Sequence, residues 1–196
     1  MTESSVIYTD LSNSEEAGAF LGSEISKAFG NQTPDALIVF ASSKYDYAPL
    51  LKALERACQP KIIVGCSSAG EFINNIQGEG AASALAIRSS DMHFAAGIGT
   101  QLRADRSRAA NQIISSFNGL HSHRYLFHSA LVLTDALAGF TDDLIEQLNL
   151  LTAGTYRFFG GGAGDDAKFS QTHVFYGTEA YTDAAVSLEI LSNKPV

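Results

Sequence analysis

The apolar residues of this chain alternate between two rhythms. One is the three-and-four spacing of an amphipathic helix. The other is a short unbroken run, the mark of a strand buried on both faces. Ser12 and Glu15 have capping-box spacing, and Phe20, Leu21, Ile25, Ala28 and Phe29 follow the helical period up to Gly30. Pro34 and Asp35 introduce the run Ala36-Leu37-Ile38-Val39-Phe40. A second helix is predicted from Asp46 or Pro49, with Leu50, Leu51, Leu54 and Cys58 on its apolar face. Pro60 breaks it, and Ile62-Ile63-Val64 forms the next strand. Ala82 to Arg88 and Met92 to Ile98 read as an antiparallel pair turning at Ser89-Ser90-Asp91.

The rhythm then restarts. A helix is predicted over Ala104 to Phe117, with Ala110, Ile113, Ile114 and Phe117 on one face and Gly119 as its stop. Ala130-Leu131-Val132-Leu133 is a strand. Thr141 caps a helix whose first turn holds Asp142 and Asp143, favourably for its dipole, and Leu144, Ile145, Leu148 and Leu151 form the apolar face. Tyr156 to Phe159, His173 to Tyr176 and Ala184 to Leu191 are further strands. Residues 36–71 align on 130–165 without a gap, at an offset of 94 positions, with identities that include Ala36/Ala130, Leu54/Leu148 and Gly70/Gly164. Two βαβ units look alike without common descent, but internal duplication is the expectation drawn here. The predicted fold class is α/β, with mixed β-sheets and flanking helices. It is built from two similar α-β-α-β-β-β units, about residues 12–99 and 102–192, within one domain over 1–196.

Composition narrows the function. The chain has 196 residues, 45% hydrophobic and 17% charged, with no linker dividing it. A net charge of −8 disfavours nucleic acid and anionic membranes as partners. Two cysteines make no disulfide framework. The start Met1-Thr2-Glu3-Ser4-Ser5 has no secretory character, and no apolar run reaches membrane-spanning length. The expected location is the cytoplasm.

Candidate chemistry gathers at two glycine-bearing segments, Val64-Gly65-Cys66-Ser67-Ser68-Ala69-Gly70-Glu71 and Phe158-Phe159-Gly160-Gly161-Gly162-Ala163-Gly164-Asp165-Asp166. Consecutive glycines after a strand can turn N–H groups inward as an anion nest. The nucleotide-binding glycine fingerprints are absent, and Asp165 and Asp166 would repel a phosphate. A zwitterion fits better, its carboxylate in the nest and its ammonium on Glu71, Asp165 or Asp166. Tight turns and sheet packing explain the same glycines without a ligand. Asp135, directly after four apolar residues and Thr134, occupies the loop equivalent to Tyr45-Asp46-Tyr47, where α/β folds bind ligands. The candidate ligand-binding set is Cys66, Ser67, Ser68, Glu71, Asp135, Gly160, Gly161, Gly162, Asp165 and Asp166, with no catalytic and no metal residue. Cys66 as a nucleophile lacks a recognisable base, so a buried packing role is favoured. His121, His123 and His128 admit a metal reading, but a solvated loop explains the first two. His93 in principle admits haem, and His173 has no evident partner.

The segment Asp35-Ala36-Leu37-Ile38-Val39-Phe40-Ala41-Ser42, followed in order by the two glycine segments, resembles the N-terminal domain of FIST proteins over about residues 30–190. That resemblance implies a bacterial intracellular sensory domain, not an enzyme, that binds a small ligand such as an amino acid. It implies as partners a C-terminal FIST domain, histidine kinases or cyclic-di-GMP enzymes. Some relatives resemble haem-based nitric-oxide sensors, but no haem-ligating histidine maps onto this sequence, and the cofactor stays unassigned. A hydrolase using Cys66 or Ser67 and a purely structural interaction module are the remaining alternatives.

Overall fold

The computed structural model describes residues 1–74, 76–122 and 124–195. The first half runs β1 (Thr2–Thr9), α1 (Ser14–Ala28), β2 (Ala36–Ser42), α2 (Tyr47–Cys58), β3 (Ile63–Ser68), β4 (Glu71–Ile73), β5 (Ile76–Gly78) and β6 (Ala82–Ser89). The second runs β7 (Met92–Thr100), α3 (Arg106–Ile114), β8 (Phe127–Thr134), α4 (Thr141–Leu151), β9 (Arg157–Gly162), β10 (Val174–Tyr176), β11 (Glu179–Tyr181) and β12 (Ala184–Ser192).

A six-stranded sheet has the order β1-β6-β2-β3-β10-β11, a four-stranded sheet the order β7-β12-β8-β9, and β4 and β5 form a separate hairpin. The pairs β2/β3 and β8/β9 are parallel, each joined through a helix, and the other pairs are antiparallel. The α/β class with mixed sheets is therefore the observed one.

Alternate residues of the apolar runs serve different cores. Leu37, Val39 and Ala41 of β2 pack with Leu21, Ile25, Leu50 and Leu54 of α1 and α2. Ala36 and Ile38 point the other way, into a core shared with Val64, Cys66, Leu131, Leu133, Val186 and Leu188 from both sheets. Ala130 and Val132 of β8 meet Ile113, Leu144 and Leu148 of α3 and α4. The layers are thus helices, sheet, sheet, helices. A strand between two dry cores is apolar at every position, which is why these runs are unbroken. Each fully buried leucine contributes roughly 1.5–3 kcal/mol of transfer free energy.

Several expectations change. Met92 to Ile98 does not pair with Ala82 to Arg88: β6 lies between β1 and β2, whereas β7 joins β12 in the other sheet. The Ser89-Ser90-Asp91 turn is a corner between sheets. The second sheet thus opens with β7, ahead of α3, and its order repeats that of β1-β6-β2-β3. Asn13, not Ser12, caps α1, accepting from the Glu16 N–H at 3.0 Å. Thr141 is the first residue of α4, behind Phe140 with φ 56°. Phe20 faces outward on α1, while Gly18 and Gly22 are buried because the backbone of α2 lies against them. Strand β1 escaped the pattern because its Thr-Glu-Ser-Ser start is polar and exposed, as an edge permits. Among the described residues, no helix is long and apolar enough to cross a membrane.

Candidate functional site

The parallel strands β2 and β3 end side by side, with Ser42 in register with Ser68. Their carboxyl ends carry Ser42, Ser43, Ser67 and Ser68. The chain leaving β9 crosses from the other sheet to this rim. The Gly164 N–H donates to the Ser67 carbonyl at 2.8 Å, and a Cβ on Gly164 would stand 2.9 Å from the Ala69 nitrogen. Only glycine allows so close an approach. The tails of the two glycine segments therefore meet.

Asp166 enters this rim with φ 55°, a left-handed conformation that Asp tolerates better than most residues. Its Oδ2 accepts from the Ser42 hydroxyl at 2.9 Å, the Ser43 N–H at 2.8 Å and the Ser43 hydroxyl. Lys168 Nζ donates to Ser43 Oγ at 2.7 Å. Among the described residues, Asp166 Oδ1 is buried without a hydrogen-bond partner, and so is His173 Nδ1. The two flank the same strand end. The His173 N–H donates to Ser67 Oγ at 2.9 Å, and the Tyr47 ring packs against the imidazole at a tilt of 59°, with 5.0 Å between centroids. Burial keeps His173 below its ordinary pKa, hence neutral near pH 7. Burial pushes Tyr47 up to about 12, with the nearby Asp166 charge adding to the rise.

The neighbouring acids are already occupied. Asp165 accepts from the N–H groups of Ser170 at 2.6 Å, Phe169 at 2.9 Å and Gln171 at 3.1 Å. Those donors, the Ser170 N–H first, hold its carboxyl down at about 2. A backbone anion nest does exist here, but the chain's own carboxylate fills it. Glu71 accepts from the Ser68 hydroxyl and, at 2.9 Å, from the Ala81 N–H, while burial raises its pKa.

The remaining candidates lie elsewhere. Cys66 faces the core between the sheets, where burial pushes its thiol up to about 12. Asp135 is buried, accepting from the Leu137 N–H at 3.0 Å, the Asp183 N–H at 2.6 Å and the Thr172 hydroxyl. It borders a separate cavity of about 250 Å³ with Arg103 and Asp183. Gly160, Gly161 and Gly162 form no nest: they extend along β9 in parallel register with Val132, Leu133 and Thr134. Gly160 is required there because a Cβ would sit 1.8 Å from the Val132 carbonyl oxygen. His128 bonds the Tyr125 carbonyl at 3.1 Å, His93 meets Asn118 at 3.3 Å, and His123 lies outside the described residues. Among the described residues no cluster of three or more His, Cys, Asp or Glu side chains could hold a metal ion.

The candidate set omits Ser42, Ser43, Tyr47, Lys168 and His173, although the loop Tyr45-Asp46-Tyr47, after Ser42-Ser43, is where α/β folds are expected to bind ligands. Ser42-Ser43 at the end of an apolar run was the available signal. Nothing local marks Lys168 or His173, which reach the rim from more than 100 residues away.

Residues 35–196 match the family model of the FIST N domain. The chain belongs to the FIST N domain family. FIST domains are sensory domains of signal transduction. The match takes in both glycine segments and leaves β1 and α1 ahead of it. None of the curated proteins matches the chain. Among solved structures, cyanuric acid hydrolase from A. caulinodans is distantly similar, at 7% sequence identity and a TM-score of 0.43, over 98% of this chain and 67% of that one.

Proposed function

We propose that this FIST N domain senses a small polar metabolite carrying an ammonium group, an amino acid or a compound of that size, and binds it without transforming it. The observation that carries the reading is the free Asp166 Oδ1. A buried carboxylate oxygen with no donor is costly, and an ammonium is the donor that compensates it best. The neutral His173 Nδ1 offers a second polar contact on the other flank of the same strand end. The position, at the carboxyl ends of adjacent parallel strands, is where α/β folds place ligands. Binding is favoured over hydrolysis because the Cys66 thiol is buried and held protonated, and Ser67 Oγ is engaged by the His173 backbone. The signal then passes to a cytoplasmic partner, a histidine kinase or a cyclic-di-GMP enzyme, if ligand binds one conformation of the domain better than another.

Calorimetric titration of the common amino acids and small amines against the wild-type protein and Asp166→Asn tests this. Asn suits the left-handed backbone and still accepts from Ser43, so the fold is kept. A saturable heat for at least one compound, weakened about tenfold or more in the variant, is expected; about 1.4 kcal/mol separates the two. No heat from any compound, or equal affinity in both proteins, rejects the reading.

A further inference from the structure

Strand β9 is the outermost strand of the four-stranded sheet, paired on one side only among the described residues. Its sequence, Arg157-Phe158-Phe159-Gly160-Gly161-Gly162, contains no Lys and no Pro, and its single charged side chain, Arg157, stands at the start of the strand, so Phe158 to Gly162 carry none of the charges that blunt an edge. Phe159 is 48% exposed, and a Cβ on Gly161 would meet nothing within 4 Å. The free edge therefore presents backbone donors and acceptors that nothing obstructs.

Beside this edge runs a groove of about 260 Å³ between β9 and α4, lined by Phe158, Phe159 and Ile145 among others. Ile145 also lines a shallow hollow along α4 with Asp142, Glu146 and Leu150. Edge, groove and helix stripe are thus one continuous surface, apolar along its middle and acidic on the helix. Among the described residues neither Asp142 nor Glu146 has an ion-pair partner; the cation near this helix, Arg106, lies 4.0 Å from Asp143.

We infer that this surface docks an extended segment of another protein, which adds a strand to β9 and turns alternate apolar and basic side chains toward α4. The free edge selects an extended chain, since only a strand satisfies a row of unpaired N–H and C=O groups. The carboxylates select its charge: Lys or Arg opposite Asp142 and Glu146 gains where an acidic residue loses. A second copy fits worse. A two-fold contact sets the patch against itself, bringing the unpaired carboxylates of both copies to one interface between chains that each carry −8. The surface also adjoins the ligand rim, since β9 ends at Gly162, four positions before Asp166.

Two octapeptides serve as probes, Lys-Thr-Val-Thr-Lys-Thr-Val-Thr and its counterpart with Glu for Lys. Fluorescence anisotropy reads affinity, and NMR hydrogen exchange reads the amides of Arg157 to Gly162, in the wild type and in Glu146→Lys, a surface change away from the core. The lysine peptide is expected to bind and to slow exchange along β9, the glutamate peptide to bind at least about tenfold more weakly, and Glu146→Lys to lose most of that preference. Equal affinity for both peptides, no binding, or protection confined to another edge overturns the inference. So does a concentration-dependent dimer whose β9 amides are protected without peptide, because the occupant is then a second copy.

Discussion

What each acidic side chain does in this domain is decided by which donors reach it. Asp165 and Asp166 are adjacent, yet Asp165 is closed within its own loop while Asp166 reaches Ser42 and Ser43 and keeps one oxygen free. Asp135, after a run of the same kind, is saturated by Leu137, Thr172 and Asp183. Asp165 finds its donors within its own loop, Asp135 draws on Leu137 nearby and on Thr172 and Asp183 far along the chain, and Asp166 depends on Ser42 and Ser43 from the other half, so acids that look equivalent in the sequence are not equivalent in the fold. The glycines divide in the same way. Gly164 holds the two segments together, and Gly164→Ala forces a methyl against the Ala69 backbone. Overpacking of this sort costs about 1–3 kcal/mol. A melting temperature lower by a few degrees, with faster amide exchange at Gly164 and Asp166, is the expected result. An unchanged melt and unchanged exchange would show that the rim yields without strain.

At the scale of elements, the strands and helices follow their apolar rhythm, but their pairing does not. The run Ala82 to Arg88 is a strand as expected, yet its neighbours are β1 and β2, not the strand that follows it. A turn of Ser-Ser-Asp suits a hairpin and a corner equally well, and only the competition for partners separates them. Strand β12 shows how an element is locked once placed. Its Glu189 is fully buried and accepts from the Asn118 and Gly119 N–H groups, each at 2.9 Å, and from the Tyr156 hydroxyl. One side chain thus ties β12 to the short turn at Gly119–His121 and to the entry of β9. Glu189→Ala strands those donors and is expected to destabilise the domain by about 3 kcal/mol, because each buried donor left unmade costs roughly 1–3 kcal/mol. Urea denaturation checks this. A loss below about 1 kcal/mol would mean that water replaces the carboxylate.

At the scale of the whole molecule, two sheets pressed face to face with helices outside place Cys66 at the centre and the ligand rim at one end. The core between the sheets is closed from both sides, so Cys66 reports on their separation. Its thiol is expected to react with an aromatic disulfide reagent only as fast as the protein opens globally, with a rate that rises in parallel with the unfolded fraction in denaturant. Fast labelling under native conditions would instead mean that the sheets part locally near β3. The rim and the β9 edge belong to different sheets and are joined by the few residues from Gly162 to Asp166, the shortest covalent route between the proposed ligand and the proposed partner.

Much of the architecture was legible in the amino-acid order. The α/β class, the main helices and the buried strands all follow from hydrophobic spacing, which acts over a few positions. The sequence also carried the motifs of the family. Only the tertiary structure decided the rest: that β6 and β7 part company, that Gly160 to Gly162 make an open edge and not a nest, and that Ser43, Lys168 and His173 join Asp166. The physical reason is range. Periodicity records what each residue buries against its near neighbours, whereas sheet order and hydrogen-bond partners come from competition between segments more than 100 residues apart, which leaves no local mark.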